Sequence, residues 1–263
     1  MTPAEFRRKC KEEVHKDQTS GHCLGYAQAN LVILPSKVAG DFQLLCERNP
    51  IPCPLLAQTA TGNQFSISDK RIVNDPQFDI TTDFPRYNVY ENGKLVASPT
   101  NVSQWWDAND HVGFLIGCSF SFESALAEAG LAPRNFAHQK NVSMYKTTKL
   151  LENAGVFVDV PYVVSMRPYK PSDLARVCEI TGKFQKTHGG PIEYGYDAVA
   201  RLGIRDLACP EFGDATHIEA DEIPVFWGCG VTAQIAALSV HAKIDGPIFG
   251  TRSGPYVSDG SSR

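Results

Sequence analysis

Two segments of this chain place a cysteine among small residues in the same order. Residues 117–121 read Gly-Cys-Ser-Phe-Ser after the apolar run Val112–Ile116, and residues 228–232 read Gly-Cys-Gly-Val-Thr after the apolar run Ile223–Trp227. A helical pattern follows each segment, so we predict two strand–turn–helix units. The first amides of a helix lack intrahelical partners and lie at the positive end of its dipole, which favours an anion. We therefore expect both turns to face one cleft and bind a carboxylate, with the following candidate residues: Ser119, Ser121, Gly228, Gly230 and Thr232.

The two cysteines of these segments, Cys118 and Cys229, are candidate catalytic residues. At the start of a helix the dipole is expected to lower the pKa of a thiol. Two thiols on opposite sides of a substrate could exchange protons with it, the arrangement that cofactor-free amino-acid racemases use. The alternative is that each cysteine is a small hydrophobic residue, packed where a strand meets a helix.

Four other side chains could bind a carboxylate or move protons. Arg167 follows an apolar strand, and its planar guanidinium suits bidentate carboxylate binding; Arg48 is a weaker candidate of the same kind. His188 lies in a glycine-rich turn, where we expect it to be exposed and to titrate near neutral pH. Glu123 follows Cys118 closely and could be its partner in proton transfer. The alternatives are structural ion pairs, a solvated histidine and an acid favoured by the helix dipole.

The composition argues against several functional classes. Of the 263 residues 43% are hydrophobic, and the formal net charge is −4 with scattered basic residues, so nucleic-acid binding is not expected. No apolar run reaches the roughly 18 residues of a membrane span, and the charged amino terminus has no secretory core. The eight cysteines lack zinc spacings and no nucleotide-binding glycine motif occurs, so we predict a cytoplasmic protein without cofactor or metal. The loop acids Asp206, Glu211 and Asp214 could hold a cation, although exposed loop acids are the commoner explanation.

The order of the predicted elements indicates an α/β protein. The apolar runs before the cysteines predict strands that are covered on both faces, and Asn92-Gly93 predicts a hairpin turn. A strand at Tyr162–Met166 and a helix at Ser172–Phe184 belong to a β-α-β unit. We therefore predict a layered main domain with a mixed sheet, formed by residues 1–140 and 208–263, and a smaller inserted α+β sub-domain, residues 141–207.

Several longer segments accompany the two cysteine turns. They are Gly25–Leu31, Thr82–Tyr87, Asn141–Thr147, Val164–Pro168 and His188–Pro191. Together and in this order, over nearly the whole chain, they resemble the hydro-lyase family that is grouped with the D-glutamate cyclases. The resemblance implies a two-part α/β fold and an activity that removes water, of which lactam closure of glutamate to 5-oxoproline is the best-known instance.

The chain departs from the family pattern in two places. The family often has a histidine five residues after the counterpart of His188, where this chain has Glu193. Its carboxy-terminal signature contains histidines where this chain reads Thr251–Tyr256. If those histidines transfer protons in relatives, the chemistry of this chain differs or its activity is reduced.

These observations together predict a cofactor-free carbon–oxygen lyase that acts on a small carboxylated metabolite, such as the amino acid D-glutamate. An isomerase or racemase that uses the cysteine pair is one alternative, and a non-catalytic carboxylate-binding protein is another. The expected partner is the small-molecule carboxylate; neither nucleic acid nor a membrane is expected, and the sequence is compatible with a homo-oligomer.

Overall fold

The computed structural model describes residues 1–138 and 140–252 in full, and the backbone of residues 256–261. None of the helices in these ranges is long and apolar enough to cross a membrane. The strands are β1 (Tyr26–Pro35), β2 (Leu55–Gln58), β3 (Tyr87–Glu91), β4 (Lys94–Ala97), β5 (His111–Gly117), β6 (Ser143–Leu150), β7 (Pro161–Tyr169), β8 (Glu193–Tyr194), β9 (Ile223–Gly228), β10 (Ile248–Thr251) and β11 (Tyr256–Ser261). The α-helices are α1 (Pro3–Lys11), α2 (Ser36–Arg48), α3 (Glu123–Glu128), α4 (Arg134–Ala137), α5 (Leu174–Thr181), α6 (Tyr196–Arg201) and α7 (Val231–Ser239).

The strands form two sheets. The first has the order β2-β5-β1-β10-β3-β4, with β11 also paired to β1, and the second has the order β6-β7-β9-β8. The predicted α/β class is confirmed. The pairings of the described strands are all antiparallel, however, where a mixed sheet was expected. The strands of the two strand–turn–helix units, β5 and β9, lie in different sheets, and each has only antiparallel neighbours among the described strands.

The first sheet is covered on both faces by apolar side chains. Along β1, Val32 and Leu34 pack into one core together with α2 and α7, while Leu31 and Ile33 pack into a second core on the other face. This alternation is expected because successive side chains of a strand point to opposite faces. All seven residues of β5 are buried, which agrees with its predicted position inside a sheet.

The predicted hairpin joins β3 and β4. Asn92 and Gly93 have φ values of 50° and 74°, which a turn of the I′ type requires at both of its central residues. The local Asn-Gly signal therefore predicted this connection correctly.

The second sheet contains the strands of the predicted inserted unit. β6, β7 and β8 lie between residues 143 and 194, and β9 from the later part of the chain pairs with both β7 and β8. The predicted helix Ser172–Phe184 is shorter in the structure, where α5 follows a 3-10 turn at Pro171–Asp173. The limits proposed for the unit, residues 141–207, stay a prediction.

The two sheets meet near the two cysteine turns. The amide of Cys118 donates to the carbonyl oxygen of Gln28 in β1, at 2.8 Å. The hydroxyl of Thr232 in α7 accepts a hydrogen bond from the Val163 amide of β7 at 3.0 Å. Because Ala233 of the same helix packs into the core of the first sheet, α7 contacts both sheets.

The replacement of Phe42 by Ala is expected to lower the free energy of unfolding by about 3–5 kcal/mol. The Phe42 ring of α2 is fully buried, and its centroid lies 4.8 Å from that of Phe114 and 5.5 Å from that of Phe157. Urea unfolding followed by circular dichroism measures the change. Leu44→Ala, on the exposed side of the same helix, is the control and should lose less than about 1 kcal/mol. Equal losses in the two variants would contradict this core.

Candidate functional site

Both cysteine turns line one cavity of about 80 Å³. A water molecule needs about 10–15 Å³ of such space, so the cavity has room for roughly five to eight water-sized groups, which suits a small metabolite. The convergence of the turns agrees with the sequence-based expectation, while the roles of their residues stay predictions. The wall consists of Asn30, Cys118, Ser119, Phe120, Asn141, Val142, Met144, Cys229, Gly230, Val231, Gln234, Thr251 and Arg252.

Main-chain amides from both turns are available to a ligand. Ser119 begins the 3-10 turn Ser119–Phe122 that leads into α3, and Gly230 directly precedes α7. In the part of the chain that the structure describes, no hydrogen-bond partner is found for the N–H group of Ser119 or of Gly230. Two unpaired donors at one cavity can bind an anion without a large cost in reorganisation.

Burial determines the acidity of the two thiols. It raises the pKa of Cys118 to about 12 and the pKa of Cys229 to about 11. The amides of Phe120 and Val231, which donate to these sulfurs, and the charge of Arg167 lower the two pKa values by less. The expected net lowering is therefore wrong, because the lost hydration of a thiolate outweighs the donors at the helix starts. At neutral pH both groups are protonated thiols.

Arg167 and Glu123 form a buried ion pair behind the cavity wall. Nη2 of Arg167 lies 2.8 Å from Oε1 of Glu123, and both side chains are excluded from solvent. The same nitrogen donates to Oγ of Ser119 at 3.1 Å. Neither charged residue belongs to the cavity wall, whereas Ser119 does. The structure thus brings Arg167 and Glu123 to the site as a pair that contacts the wall through Ser119.

His188 is buried beside the end of β9. Only 2% of its surface is exposed, and burial lowers its pKa to about 4, although backbone groups of Ile51 and Gly117 raise it slightly. Its Nδ1 lies 2.7 Å from the carbonyl oxygen of Ile51, and a Cβ atom on Gly228 would lie 3.1 Å from this nitrogen. The expected exposure of His188 (φ 85°) is wrong, because distant parts of the chain, among them Ile51 and Gly228, lie against its ring.

Two of the predicted binding hydroxyls hold the turns in place. Ser121 Oγ donates to the carbonyl oxygen of Cys118 at 2.7 Å and accepts from the amide of Gln28 at 2.9 Å. The hydroxyl of Thr232 accepts from the amide of Val163 and lies 3.2 Å from its carbonyl oxygen. Neither residue lines the cavity, so both support its shape through the backbone.

Arg48 lies at a different place on the molecule. It borders a separate, more open cavity of about 480 Å³ together with Ile51, Lys149 and Tyr162. Its Nη1 donates to the carbonyl oxygen of Asn153. The structure therefore does not bring Arg48 to the cavity of the cysteine turns.

Five polar residues of the wall were not predicted as site residues: Asn30, Asn141, Gln234, Thr251 and Arg252. Gln234 Nε2 donates to Thr251 Oγ1 at 3.1 Å, and Thr251 Oγ1 lies 3.4 Å from Oδ1 of Asn30. Arg252 follows directly and is exposed. Asn30 could have been found, because it is a polar residue inside the apolar run Ala29–Leu34. Gln234 and Arg252 carry no such signal in the sequence.

The loop acids make backbone contacts. Glu211 accepts from the amide of Lys146, and Asp214 accepts from the amide of Asn141. The described residues contain no group of histidine, cysteine or acidic side chains that could hold a metal ion. In the segment that departs from the family signature, residues 253–255 lie outside the described residues.

Comparisons of the sequence with known proteins agree on one family. A sequence profile described as D-glutamate cyclase matches residues 112–254, which include both cysteine turns. A protein named "Putative hydro-lyase" from Aliivibrio salmonicida is 45% identical over 87% of this chain and 84% of its own length. A protein of the same kind of name from Schizosaccharomyces pombe is 40% identical over 98% of this chain and 84% of its own. Among solved structures, a nitrogen repressor-like protein from Methanococcus jannaschii superposes with a TM-score of 0.38 and 10% identity, over 93% of this chain and 90% of that one.

The buried His188 is expected to make the stability of the protein depend on pH. Its pKa of about 4 in the folded chain lies below the ordinary value of 6.5, so the unfolded chain binds the proton first. The free energy of unfolding has its full value above pH 6.5 and decreases as the pH falls from 6.5 to about 4. The decrease that His188 causes is on the order of 3 kcal/mol at most. His188→Asn, which tolerates a positive φ, should remove this loss. Urea unfolding of both proteins at pH 7, 5.5 and 4 measures the difference, and parallel pH profiles would contradict it.

Proposed function

Because this chain belongs to the D-glutamate cyclase family, we propose that it is a hydro-lyase for a small carboxylated metabolite, with D-glutamate as the first candidate. One observation carries the proposal: the turns around Cys118 and Cys229 line the same small cavity. The family supplies the reaction class, and the size and donors of the cavity support a small acid as the substrate.

The donors around the cavity suit the charges of such a substrate. The unpaired amides of Ser119 and Gly230 favour one carboxylate. The exposed Arg252 at the same wall offers a guanidinium to a second acidic group. In a partly enclosed cavity, these donors act more strongly than they would at an open surface.

The thiols suit the proton transfers of water loss. Lactam closure forms a bond between the amino nitrogen and the side-chain carboxyl carbon, breaks one C–O bond of that carboxyl, and moves two protons from the nitrogen to the departing oxygen. The protonated thiol of Cys118 or Cys229 can give a proton to this oxygen, and the thiolate that remains can take one from the nitrogen. Each of the two thiols can carry out this exchange once, so the pair accounts for both protons. Water is the only other product.

The same pair of thiols also favours a second candidate, an amino-acid isomerase. In that reaction one sulfur removes the proton on Cα and the other returns a proton to the opposite face. The reaction loses no water, which separates it from the lyase in a single experiment.

Incubation of the protein with D-glutamate in heavy water is expected to convert it into 5-oxoproline, as followed by proton NMR. Cys118→Ala and Cys229→Ala should each lower the rate at least about 100-fold, because a general acid–base group contributes roughly 10²–10⁴-fold. Cys209→Ala is the matched control, since Cys209 is exposed and distant in sequence from both turns, and it should keep the full rate.

Two outcomes would contradict the lyase, and a third would contradict only the role of the thiols. Deuterium on Cα without loss of water would select the isomerase. A rise in melting temperature with amino, hydroxy or dicarboxylic acids, while every ligand stays unchanged, would select a non-catalytic binding protein. Full turnover by both cavity-cysteine variants would remove the thiols from the mechanism.

A further inference from the structure

A buried network of polar side chains lies behind Ser119. Arg167 and Glu123 form its centre, with 2.8 Å between Nη2 and Oε1. Asn135 donates to the same carboxylate oxygen at 3.0 Å, and Ser20 donates to the other oxygen at 2.8 Å. The partners of Glu123 are thus all donors, and they fix its carboxylate from three directions.

Further contacts hold the guanidinium of Arg167, although no hydrogen-bond partner is found for its Nε among the described residues. Its Nη1 donates to Ser165 Oγ at 3.1 Å, and its central carbon lies 5.0 Å from the ring centre of Phe122 and 5.5 Å from that of Trp227. A buried ion pair loses so much hydration that hydrophobic residues in its place are often equally stable. We therefore interpret the network as a means of fixing the position of Arg167, and not as a source of stability.

The network ends at the hydroxyl of Ser119. Nη2 of Arg167 donates to Ser119 Oγ at 3.1 Å, and because a guanidinium can only donate, the hydroxyl proton of Ser119 must point elsewhere. Within the described ranges, no protein acceptor is found for this proton. Since Ser119 is part of the cavity wall, the cavity is the direction in which the proton can find an acceptor.

We propose that the Arg167–Glu123 pair is a positioning device that presents the Ser119 hydroxyl as a donor to a carboxylate in the cavity. Arg167 and Glu123 are then positioning residues that do not touch the substrate, and Ser119 is the residue that contacts it. This arrangement replaces the direct contact between Arg167 and the substrate that the sequence suggested. It rests on the proposed function only in requiring a carboxylate in the cavity, and it does not require turnover.

Acetate is a suitable probe, because it is a minimal carboxylate that the protein cannot dehydrate. Titration of the wild-type protein with acetate should shift the NMR signals of the Ser119 and Gly230 amides. Ser119→Ala should weaken acetate binding about tenfold, and Glu123→Gln should weaken it severalfold. In the Ser119→Ala background, Glu123→Gln should have no further effect, because the group that it positions is gone. Ser172→Ala, at an exposed serine outside the cavity, is the matched control and should bind as the wild type does.

Each contrary result overturns a defined part of the account. An equal effect of Glu123→Gln in both backgrounds would mean that Glu123 is only structural. Unchanged acetate affinity in Ser119→Ala would overturn the proposal even if the Glu123 variant does not fold, and so would the absence of any acetate-induced shift in the wild type. Acetate binding with the predicted coupling, but without turnover of D-glutamate, would contradict D-glutamate as the substrate and would leave the positioning role of Arg167 and Glu123 intact.

Discussion

The close approach of the main chain at two glycines is the constraint on which the cavity depends. A Cβ atom on Gly117 would lie 2.1 Å from the carbonyl oxygen of Lys186, and one on Gly230 would lie 2.1 Å from Nδ2 of Asn30. At Gly117 the atoms in the way belong to the main chain, so a larger residue has no room there, whereas at Gly230 a larger residue would displace the end of the Asn30 side chain. At Gly117 the segment before His188 packs against the end of β5. At Gly230 the start of α7 packs against β1. In this arrangement the two turns, which follow strands of different sheets, line one cavity.

Burial gives this space its chemical character. The thiols of Cys118 and Cys229 are protonated at neutral pH, and His188 is uncharged there. The charge of Arg167 is balanced by Glu123. The donors at the cavity wall are therefore mostly amides and hydroxyls, and the exposed Arg252 is the one charged group of the wall among the described residues. Fixed dipoles of this kind stabilise an acid and the charge that develops on it during reaction, because they need little rearrangement.

Local signals in the sequence predicted the elements of the fold. The Asn92-Gly93 turn and the apolar run of β5 were predicted from neighbouring residues, because hairpin turns and buried strands are specified locally. The meeting of the two cysteine turns was predicted from their similarity alone. The pairing of strands into sheets was not predicted, because apolar runs do not specify which strands become neighbours or in which direction.

The errors at the site share one physical cause, which is that burial depends on distant parts of the chain. The glycine-rich turn of His188 suggested exposure, yet Ile51, which is 137 positions away in the sequence, covers the ring. The helix starts suggested acidic thiols, but packing by residues such as Met144, whose sulfur lies 3.3 Å from that of Cys229, excludes water from them. Arg167 was predicted to bind a carboxylate of the substrate, whereas the structure pairs it with the carboxylate of Glu123, a partner that could not be assigned from spacing along the chain.

A crystal structure of the protein with a bound small acid tests the central claim most directly. We expect the carboxylate between the two cysteine turns, about 3 Å from the main-chain nitrogens of Ser119 and Gly230, with both sulfurs facing the same ligand. A ligand bound beside Arg48 instead, or sulfurs enclosed in separate spaces with no common opening, would contradict the account.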